Sequence, residues 1–215
     1  MDEMLKRHQK PRFFAQDYWF ATEWGLFKCP DSWSPGLFSP RYEKEVKRIV
    51  QSLKGGLFVD VGANIGLYSV MAARMGNRVV ALEPNPHAFA CLSETLAANG
   101  LQNRVQALRV AGWSENTTVD IKEEDDSTGG HVIGKGSKVR AMRLDTLLTE
   151  KPSLVKIDTE GAEPHVLMGM SKMLSSGIRI VFEALDVKHF LACQNLLPRH
   201  HITMLDKRNY LASPN

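Results

Sequence analysis

The sequence predicts an α/β fold: a doubly wound, mostly parallel seven-stranded sheet with an inserted β-hairpin and a C-terminal antiparallel hairpin. Three observations support this prediction. From residue 57 onward, short apolar runs alternate with segments of helical periodicity, a glycine-containing turn follows the first run, and acidic residues stand where several runs end. Apolar strands that alternate with helices are typical of parallel strands joined by right-handed crossovers.

Length and composition are those of an ordinary globular protein. The chain has 215 residues, of which 43% are apolar and 24% charged, and its net charge is +3. This length favours a single domain. Within it we expect an aromatic-rich N-terminal segment and a helix (1–54) that pack on a ligand-binding domain (55–215). A net charge this small does not favour a nucleic-acid partner.

The cysteines and the apolar segments indicate in which cellular compartment the protein is expected. Cys29, Cys91 and Cys193 are widely spaced, odd in number and without a CxxC pair, so neither a disulfide framework nor a zinc site is indicated. The N-terminus lacks the apolar segment of a signal peptide, and the most apolar long window, 55–75, contains charged and polar residues. We therefore expect a cytoplasmic protein with no membrane partner.

The N-terminal part differs in character from the rest. Residues 1–40 are rich in aromatic side chains and are broken by Pro30, Pro35 and Pro40, so we expect an irregular segment that packs on the core as a lid. The next stretch, 41–53, has its apolar residues at helical spacing and predicts a helix. Those residues are Val46, Ile49, Val50 and Leu53.

End signals define the elements of the alternating part. The helix at 86–100 begins at a proline and ends at Asn99-Gly100, and the helix at 163–177 has proline near its first position and glycine at its end. The predicted strands are 57–61, 78–82, 104–110, 154–158 and 178–184, and the predicted helices are 67–75, 86–100, 163–177 and 186–197.

Two segments depart from the alternation. Residues 117–124 and 138–144 predict a hairpin around the loop EEDDSTGGHVIGKG (123–136), and residues 201–212 predict a second hairpin that turns at 207–209. The four acids of the first loop could face a cationic acceptor, but we favour a hairpin tip that they keep in water.

The stretch FVDVGANIGLYSV (58–70) is a strand, a turn and a helix. A dinucleotide fingerprint needs glycines at its first, third and sixth places, which here hold Gly62, Asn64 and Leu67, so the pattern fails twice. The order Asp60-x-Gly62-x-Asn64-x-Gly66 instead resembles the first motif of class I S-adenosylmethionine-dependent methyltransferases. The alternative is a tight turn that binds no ligand.

Each residue type in this turn has a physical reason. Gly62 permits positive φ and a close approach of the backbone to a ligand. Gly66 permits tight packing of the helix on the strand. Asp60 would place a negative charge near the ammonium group of the ligand.

The end of the second strand carries an acid at the expected spacing. Glu83 follows the first glycine by about 20 residues, where an acidic residue hydrogen-bonds the ribose hydroxyls of a nucleoside. Pro84 and Asn85 would line the same edge. Adenine would lie against the loop at 111–114, where Trp113 either stacks on the ring or fills the core.

The stretch LVKIDTEGAEPHVL (154–167) gathers ionisable groups around a strand end. Lys156 and Asp158 share a face because side chains alternate along a strand. Asp158 ends the strand, where open α/β sheets bind ligands. Glu160, Glu163 and His165 follow, and Glu163 also stands where a carboxylate complements the helix dipole.

Over residues 41–184 the chain resembles the FkbM family of methyltransferases. Three motifs carry this resemblance: VDVGANIG, VKIDTEGAE, and RLDTLL (143–148), which comes shortly before VKIDTEGAE. The resemblance implies a class I fold, S-adenosylmethionine as methyl donor, and O-methylation of a hydroxyl on a sugar or polyketide-like natural product. By position, the donor-binding residues would be Gly62, Ala63, Asn64, Gly66 and Glu83. Asp158 and Glu160 would lie at the reaction centre.

Several roles and functions stay open at this stage. Asp158 or Glu160 is the favoured general base and His165 the next candidate, while Asp158 alternatively orients the donor's ammonium group. Metal assistance by Asp158, Glu160, Glu163 and His165 is less favoured, and no metal site is assigned. An RNA 2′-O-methyltransferase is the first rival, with a nominal tetrad of Lys54, Asp158, Lys172 and Glu183, and a non-catalytic binding module is the second.

Overall fold

The computed structural model of the chain describes residues 13–31, 34–121 and 136–215. The strands are β1 (Phe13–Thr22), β2 (Gly25–Asp31), β3 (Leu57–Val61), β4 (Arg78–Leu82), β5 (Val105–Leu108), β6 (Ala111–Gly112), β7 (Thr117–Ile121), β8 (Ser137–Met142), β9 (Leu154–Ile157), β10 (Ile180–Glu183), β11 (His200–Met204) and β12 (Asn209–Pro214). The helices are α1 (Lys44–Gln51), α2 (Leu67–Arg74), α3 (Pro86–Ala98), α4 (Leu144–Leu147), α5 (Glu163–Met168), α6 (Ser171–Ser175) and α7 (Val187–Asn195), with a 3-10 helix at Ser34–Phe38.

The central sheet has seven strands in the order β11-β12-β10-β9-β3-β4-β5. β3 pairs in parallel with β4 and β9, and parallel pairing continues to β5 on one side and β10 on the other. β12 is antiparallel to both of its neighbours, so it alone runs against the other strands of this sheet. The predicted doubly wound, mostly parallel sheet with a C-terminal antiparallel hairpin is confirmed.

Side chains of the parallel strands alternate between two apolar layers. Phe58 packs with α1, α2 and α3 on one face of the sheet, whereas its neighbours Leu57 and Val59 belong to the layer under α5 and α7. Both layers exclude water from the strands, which explains why these strands are apolar runs rather than alternating ones. The chain leaves β3 toward β4 on one side and returns on the other side as β9. This reversal creates a crevice at the carboxyl ends of the strands.

The start of α3 shows how local sequence sets a helix boundary. The Asn85 side chain accepts hydrogen bonds from His87 N and Ala88 N at 2.9 and 3.0 Å and thereby caps the helix. Pro86 occupies the first helical position, where its missing N–H costs nothing. The predicted start of this helix is correct because both signals are local.

The prediction of an irregular N-terminal segment is wrong for residues 13–31. β1 and β2 form an antiparallel hairpin, and its second strand is fixed to α3 because Lys28 N donates to Thr95 Oγ1 at 3.0 Å. Tyr18 and Phe20 pack on the core, whereas Trp19 between them is 45% exposed. The aromatic residues thus follow the period of a strand, and this alternation was the signal for a hairpin.

The single helix predicted at 163–177 is also wrong, because the structure divides it into α5 and α6. Between them, Gly169 lies so close to the backbone of Trp113 that a Cβ would overlap the Trp113 carbonyl oxygen. The Asp145 carboxylate accepts hydrogen bonds from two backbone N–H groups in the first turn of α6, at 3.0 and 3.2 Å. A cap from a distant part of the chain therefore begins a new helix.

The inserted hairpin is present as β7 and β8, which pair antiparallel. β6 adds to it in parallel, so that a small sheet of order β6-β8-β7 lies beside the central one. Apart from Gly136, the loop predicted at 123–136 lies outside the described residues.

Among the described residues, no helix combines the length and the apolar character that crossing a membrane requires. Cys29, Cys91 and Cys193 are buried, and no disulfide joins them to one another. Burial raises the pKa of the Cys91 and Cys193 thiols to about 12. These thiols are consequently neutral in the folded chain and serve as apolar side chains.

Candidate active site

A cavity of about 780 Å³ opens at the carboxyl ends of β3, β4, β9 and β10. Its volume lies in the range of ligand pockets, roughly 300–1,000 Å³. Three parts of the chain form its walls: the segment before α1, the sheet with its turns, and the turn of the C-terminal hairpin. The lining residues are Gly36, Leu37, Arg41, Tyr42 and Glu43 from the first part, Val61, Gly62, Asn64, Glu83, Pro84, Asn85, Ala111, Gly112, Ile121, Asp158, Thr159, Glu160 and Glu183 from the second, and Asp206, Lys207, Arg208 and Asn209 from the third.

The turn after β3 forms one wall with its main chain. Gly62 has φ +82°, and a Cβ there would overlap the carbonyl oxygen of Asp158. The backbone N–H groups of Gly62 and Ala63 both donate to Leu82 O, at 2.9 and 3.0 Å. The turn is therefore tied to β4 and pressed against the end of β9, an arrangement that only glycine permits at this position.

Four residues of the predicted donor site, Asp60, Ala63, Gly66 and Trp113, do not line the cavity. Asp60 is buried, and its Oδ2 accepts a hydrogen bond from Ser69 Oγ at 2.7 Å. Its Oδ1 has no hydrogen-bond partner among the described residues. Burial raises the pKa of Asp60, and its hydrogen bond to Ser69 ties β3 to α2.

Glu83 ends β4 and faces the cavity with a fully oriented carboxylate. Its Oε2 accepts from Asn64 N and its Oε1 from Asn85 N, both at 2.8 Å. Burial raises the pKa of Glu83 to about 7, helped by the negative charges of Asp60 and Asp158 and opposed by the two N–H donors. The N–H donors fix the side chain so that its remaining lone pairs are available to a ligand.

Lys156 and Asp158 share a face of β9, as the alternation of side chains predicts. Lys156 Nζ lies 2.8 Å from Asp158 Oδ2 and 4.7 Å from the centre of the Tyr68 ring. Burial alone would lower the pKa of Lys156, but the carboxylates of Asp158, Glu43 and Asp60 outweigh it and raise that pKa. The ammonium is therefore charged and holds the Asp158 carboxylate at the cavity.

The turn after β9 is shaped by a buried carboxylate. Glu163 Oε1 accepts from Thr159 N at 2.6 Å and Oε2 accepts from Gly161 N at 3.1 Å. Oε2 also lies 3.0 Å from His189 Nε2, and contact with Glu163 raises the pKa of His189. These bonds fold the turn so that Glu160, with φ +52°, lines the cavity. Glu163 is thus bound within the protein and does not line the cavity.

Glu43 brings three distant elements together on the opposite wall. It follows the 3-10 helix, has φ +43°, and accepts hydrogen bonds from Tyr68 Oη and, at 3.4 Å, from Asn209 Nδ2. Burial raises the pKa of Glu43, although Lys156 opposes this shift. The segment before α1, helix α2 and the C-terminal hairpin thereby converge on the cavity.

Glu183 ends β10 and is 7% exposed. Its Oε1 lies 3.3 Å from Arg208 Nη1, while its Oε2 is buried and has no hydrogen-bond partner among the described residues. Burial raises the pKa of Glu183 to about 8, and the charges of Asp158 and Glu160 add to this shift. The carboxyl groups of Asp158, Glu160 and Glu183 therefore lie close enough at one edge of the cavity to raise the pKa of Glu183.

Trp113 and His165 stand apart from the cavity lining. Their rings stack on each other at a centroid distance of 3.9 Å. Burial lowers the pKa of His165, and its Nδ1 is buried without a hydrogen-bond partner in the described part of the chain. The structure therefore separates the third candidate base from Asp158 and Glu160, and Trp113 packs on a protein ring.

The nominal tetrad of the RNA alternative is not assembled. Asp158 and Glu183 line the cavity, whereas Lys54 and Lys172 are exposed and do not. The lysine beside Asp158 is Lys156, two residues before it on the same strand.

Several residues that line the cavity were not predicted from the sequence, notably Tyr42, Glu43, Arg208 and Asn209. They come from segments outside the β/α alternation, and no local pattern marks them. The sequence analysis named Glu183 only as a member of the nominal RNA tetrad. Like Glu83 and Asp158, however, it is an acid at the end of a predicted strand, and this position indicates a ligand-binding edge.

The strand order, the glycine turn after β3 and the acid that ends β4 together define a class I methyltransferase fold. Within this class, the chain belongs to the FkbM methyltransferase family. The family model described as the methyltransferase FkbM domain matches residues 60–212, which confirms the resemblance in the sequence motifs.

Two curated relatives of the chain are methyltransferases. The hexuronic acid methyltransferase AglP of Haloferax volcanii is 30% identical over 152 residues, which cover 66% of this chain and 62% of that protein. The methyltransferase sdnD of Sordaria araneosa is 29% identical and is matched over 53% of this chain and 60% of its own length. The chain thus spans about 60% of the length of these two relatives.

Solved structures share the fold. The FkbM methyltransferase of Methylobacillus flagellatus KT superposes with a TM-score of 0.57 at 17% identity, covering 81% of this chain and 50% of that one. An O-methyltransferase of Bacillus cereus in complex with SAH gives a TM-score of 0.56 at 18% identity, with 82% of both chains covered. At this identity the similarity supports the fold alone.

Proposed function

We propose that the protein is an S-adenosylmethionine-dependent methyltransferase that methylates a hydroxyl group of a small molecule, most simply a sugar. One observation carries the proposal: Glu83 and Asp158 face the same cavity from the ends of β4 and β9. In this proposal, Glu83 binds the ribose of the donor and Asp158 faces the reacting hydroxyl of the acceptor. Membership in the FkbM family supports methyl transfer.

The residues present fit this donor. A carboxylate offers about four lone-pair sites, and Glu83 uses two of them for Asn64 N and Asn85 N. The remaining sites match the two ribose hydroxyls. The absence of a Cβ at Gly62 lets the ligand approach the main chain, and Ala111 and Gly112 line the part of the cavity where adenine would lie.

S-adenosylmethionine supplies an electrophilic methyl group on a positively charged sulfur. The chain's own residues orient the acceptor and take its proton. Asp158 and Glu160 are the candidate bases, since both line the cavity, and a base in hydrogen-bond reach contributes about 10²–10⁴-fold. Lys156 keeps the Asp158 carboxylate oriented. Correct alignment of acceptor, methyl and sulfur supplies roughly 7–11 kcal/mol more.

Two observations support the proposal of a sugar acceptor: the description of one relative and the charges that line the cavity. AglP is described as a hexuronic acid methyltransferase. The cavity of this chain carries basic side chains from Arg41, Lys207 and Arg208 near its acids, a mixture suited to a polar acceptor with several hydroxyl groups.

The test combines an acceptor panel with one variant. Labelled donor is supplied with a hexuronic acid, a neutral hexose and an unmodified RNA oligonucleotide, and we expect label in a sugar. Asp158→Asn should lower turnover by about 10²–10⁴-fold and leave S-adenosylhomocysteine affinity nearly unchanged. Glu150→Gln, which alters an exposed ion pair with Arg78, is the control and should keep full activity. Label in RNA alone, or full activity of Asp158→Asn, would contradict the proposal.

A further inference from the structure

Three acidic side chains meet at one edge of the cavity, at the ends of β9 and β10. One oxygen from each of Asp158, Glu160 and Glu183 lies within 4.8 Å of the other two. Two oxygens that bind one divalent cation at 2.0–2.6 Å stand at most about 4–5 Å apart. The three side chains are therefore spaced so that a single ion can reach all of them, and all three line the cavity.

A second observation is independent of this clustering. Glu183 is 7% exposed, and its Oε2 is buried with no hydrogen-bond partner in the part of the chain that the structure describes. A buried carboxylate oxygen without a donor costs free energy unless something compensates it. Arg208 reaches only the other oxygen, Oε1, at 3.3 Å.

Elements on both sides fix this geometry. Glu163 folds the turn after β9 through Thr159 and Gly161 and so sets the place of Glu160. Lys156 holds Asp158 Oδ2 from the side of the sheet. Glu183 belongs to the neighbouring strand β10, which pairs with β9. The three carboxylates thus sit on adjacent, hydrogen-bonded strands and their turns rather than on a surface loop.

We propose that Asp158, Glu160 and Glu183 form a binding site for one hard divalent cation, for which Mn²⁺ serves as the probe. Carboxylate oxygens are the ligands that such hard cations prefer, and water or an acceptor hydroxyl completes their coordination. A cation here removes the mutual repulsion of the three carboxylates.

The inference rests on the proposed function only for the role of the ion. A hydroxyl oxygen bound to a divalent cation has a lowered pKa, so the ion would prepare the acceptor for methyl transfer. Asp158 and Glu160 then act as ligands as well as candidate bases. Binding of the ion itself requires neither donor nor acceptor, and this separates the two proposals experimentally.

The experiment titrates MnCl₂ into the full chain in the absence of donor, followed by calorimetry and by the electron paramagnetic resonance signal of free Mn²⁺. We expect one Mn²⁺ per chain. Glu183→Gln and Glu160→Gln should each weaken binding at least about 10-fold, and Glu150→Gln, at an exposed acid outside the cavity, should not. The thermal unfolding midpoint of each variant and its S-adenosylhomocysteine affinity show that the fold persists.

Three outcomes would overturn the inference. The first is no stoichiometric Mn²⁺ binding to the unaltered chain, and the second is equal binding by Glu183→Gln, Glu160→Gln and Glu150→Gln. The third is Mn²⁺ binding that appears only with the donor present, because the three carboxylates alone would then not form the site. If S-adenosylhomocysteine binds and Mn²⁺ does not, the cation site fails while the proposed function stands. The reverse result would reject the donor and leave the cation site.

Discussion

At the residue scale, Glu83 connects structure to a measurable pH dependence. Its pKa is about 7, and its ionised form is the one that accepts two backbone N–H groups and, in our proposal, two ribose hydroxyls. Protonation converts one acceptor site into a donor. As pH falls through 7, the binding-competent form is lost, so donor affinity should fall with it.

We therefore expect S-adenosylhomocysteine to bind about tenfold more weakly at pH 6 than at pH 8, since the ionised fraction of a group with pKa about 7 changes by that factor. Isothermal titration at three pH values measures it. Glu83→Gln should bind weakly at every pH and show little of this dependence. A pH dependence that is unchanged in Glu83→Gln would assign it to another group, such as Glu183, and contradict this role.

Asp60 shows where residue-level reasoning from the sequence reached its limit. Its position before the glycine turn predicts a negative charge near the donor's ammonium group, and this stays a prediction. Its side chain bonds to Ser69 and does not line the cavity. The sequence shows that an acid stands at the end of the strand. It does not show which way the acid points, because that depends on how the turn packs on β9.

At the element scale, the turn after β9 depends on Glu163. This carboxylate is fully buried and satisfies Thr159 N, Thr159 Oγ1 and Gly161 N while facing His189. Removal of it leaves buried donors unsatisfied and His189 without its partner. The VKIDTEGAE motif thus contains both cavity residues and the residue that supports them.

Glu163→Ala should lower the free energy of unfolding by at least about 3 kcal/mol, because three buried donors lose their acceptor at about 1–3 kcal/mol each. Urea unfolding at neutral pH measures it. Glu150→Ala, which removes an exposed partner of Arg78, should unfold at the same urea concentration as the unaltered chain. A Glu163→Ala variant as stable as this control would show that the turn does not depend on the carboxylate.

Elements were predictable where their signals are local. The parallel strands are apolar runs, and α3 carries Asn85 and Pro86 at its start, so both were found. The break between α5 and α6 was missed because its causes are distant in the sequence. Asp145 caps α6 from elsewhere in the chain, and Gly169 packs directly against the backbone of Trp113. The β1–β2 hairpin was missed because prolines and dense aromatic residues obscured a strand-like alternation.

At the scale of the whole molecule, the cavity combines parts that differ in predictability. The ends of β4 and β9 follow from the α/β alternation, which places Glu83 and Asp158 on one edge of the sheet. Glu43 and the turn at Arg208–Asn209 reach the cavity from the two ends of the described chain. Their approach depends on tertiary packing, so this part of the cavity could not be predicted from local patterns.

The most direct test of the central claim is a crystal structure of the full chain with S-adenosylhomocysteine bound. We predict that the ligand occupies the cavity at the ends of β3, β4 and β9, with both ribose hydroxyls in hydrogen-bond distance of the Glu83 carboxylate and the sulfur directed toward Asp158 and Glu160. A ligand bound elsewhere, or in this cavity with its ribose away from Glu83, would contradict the account.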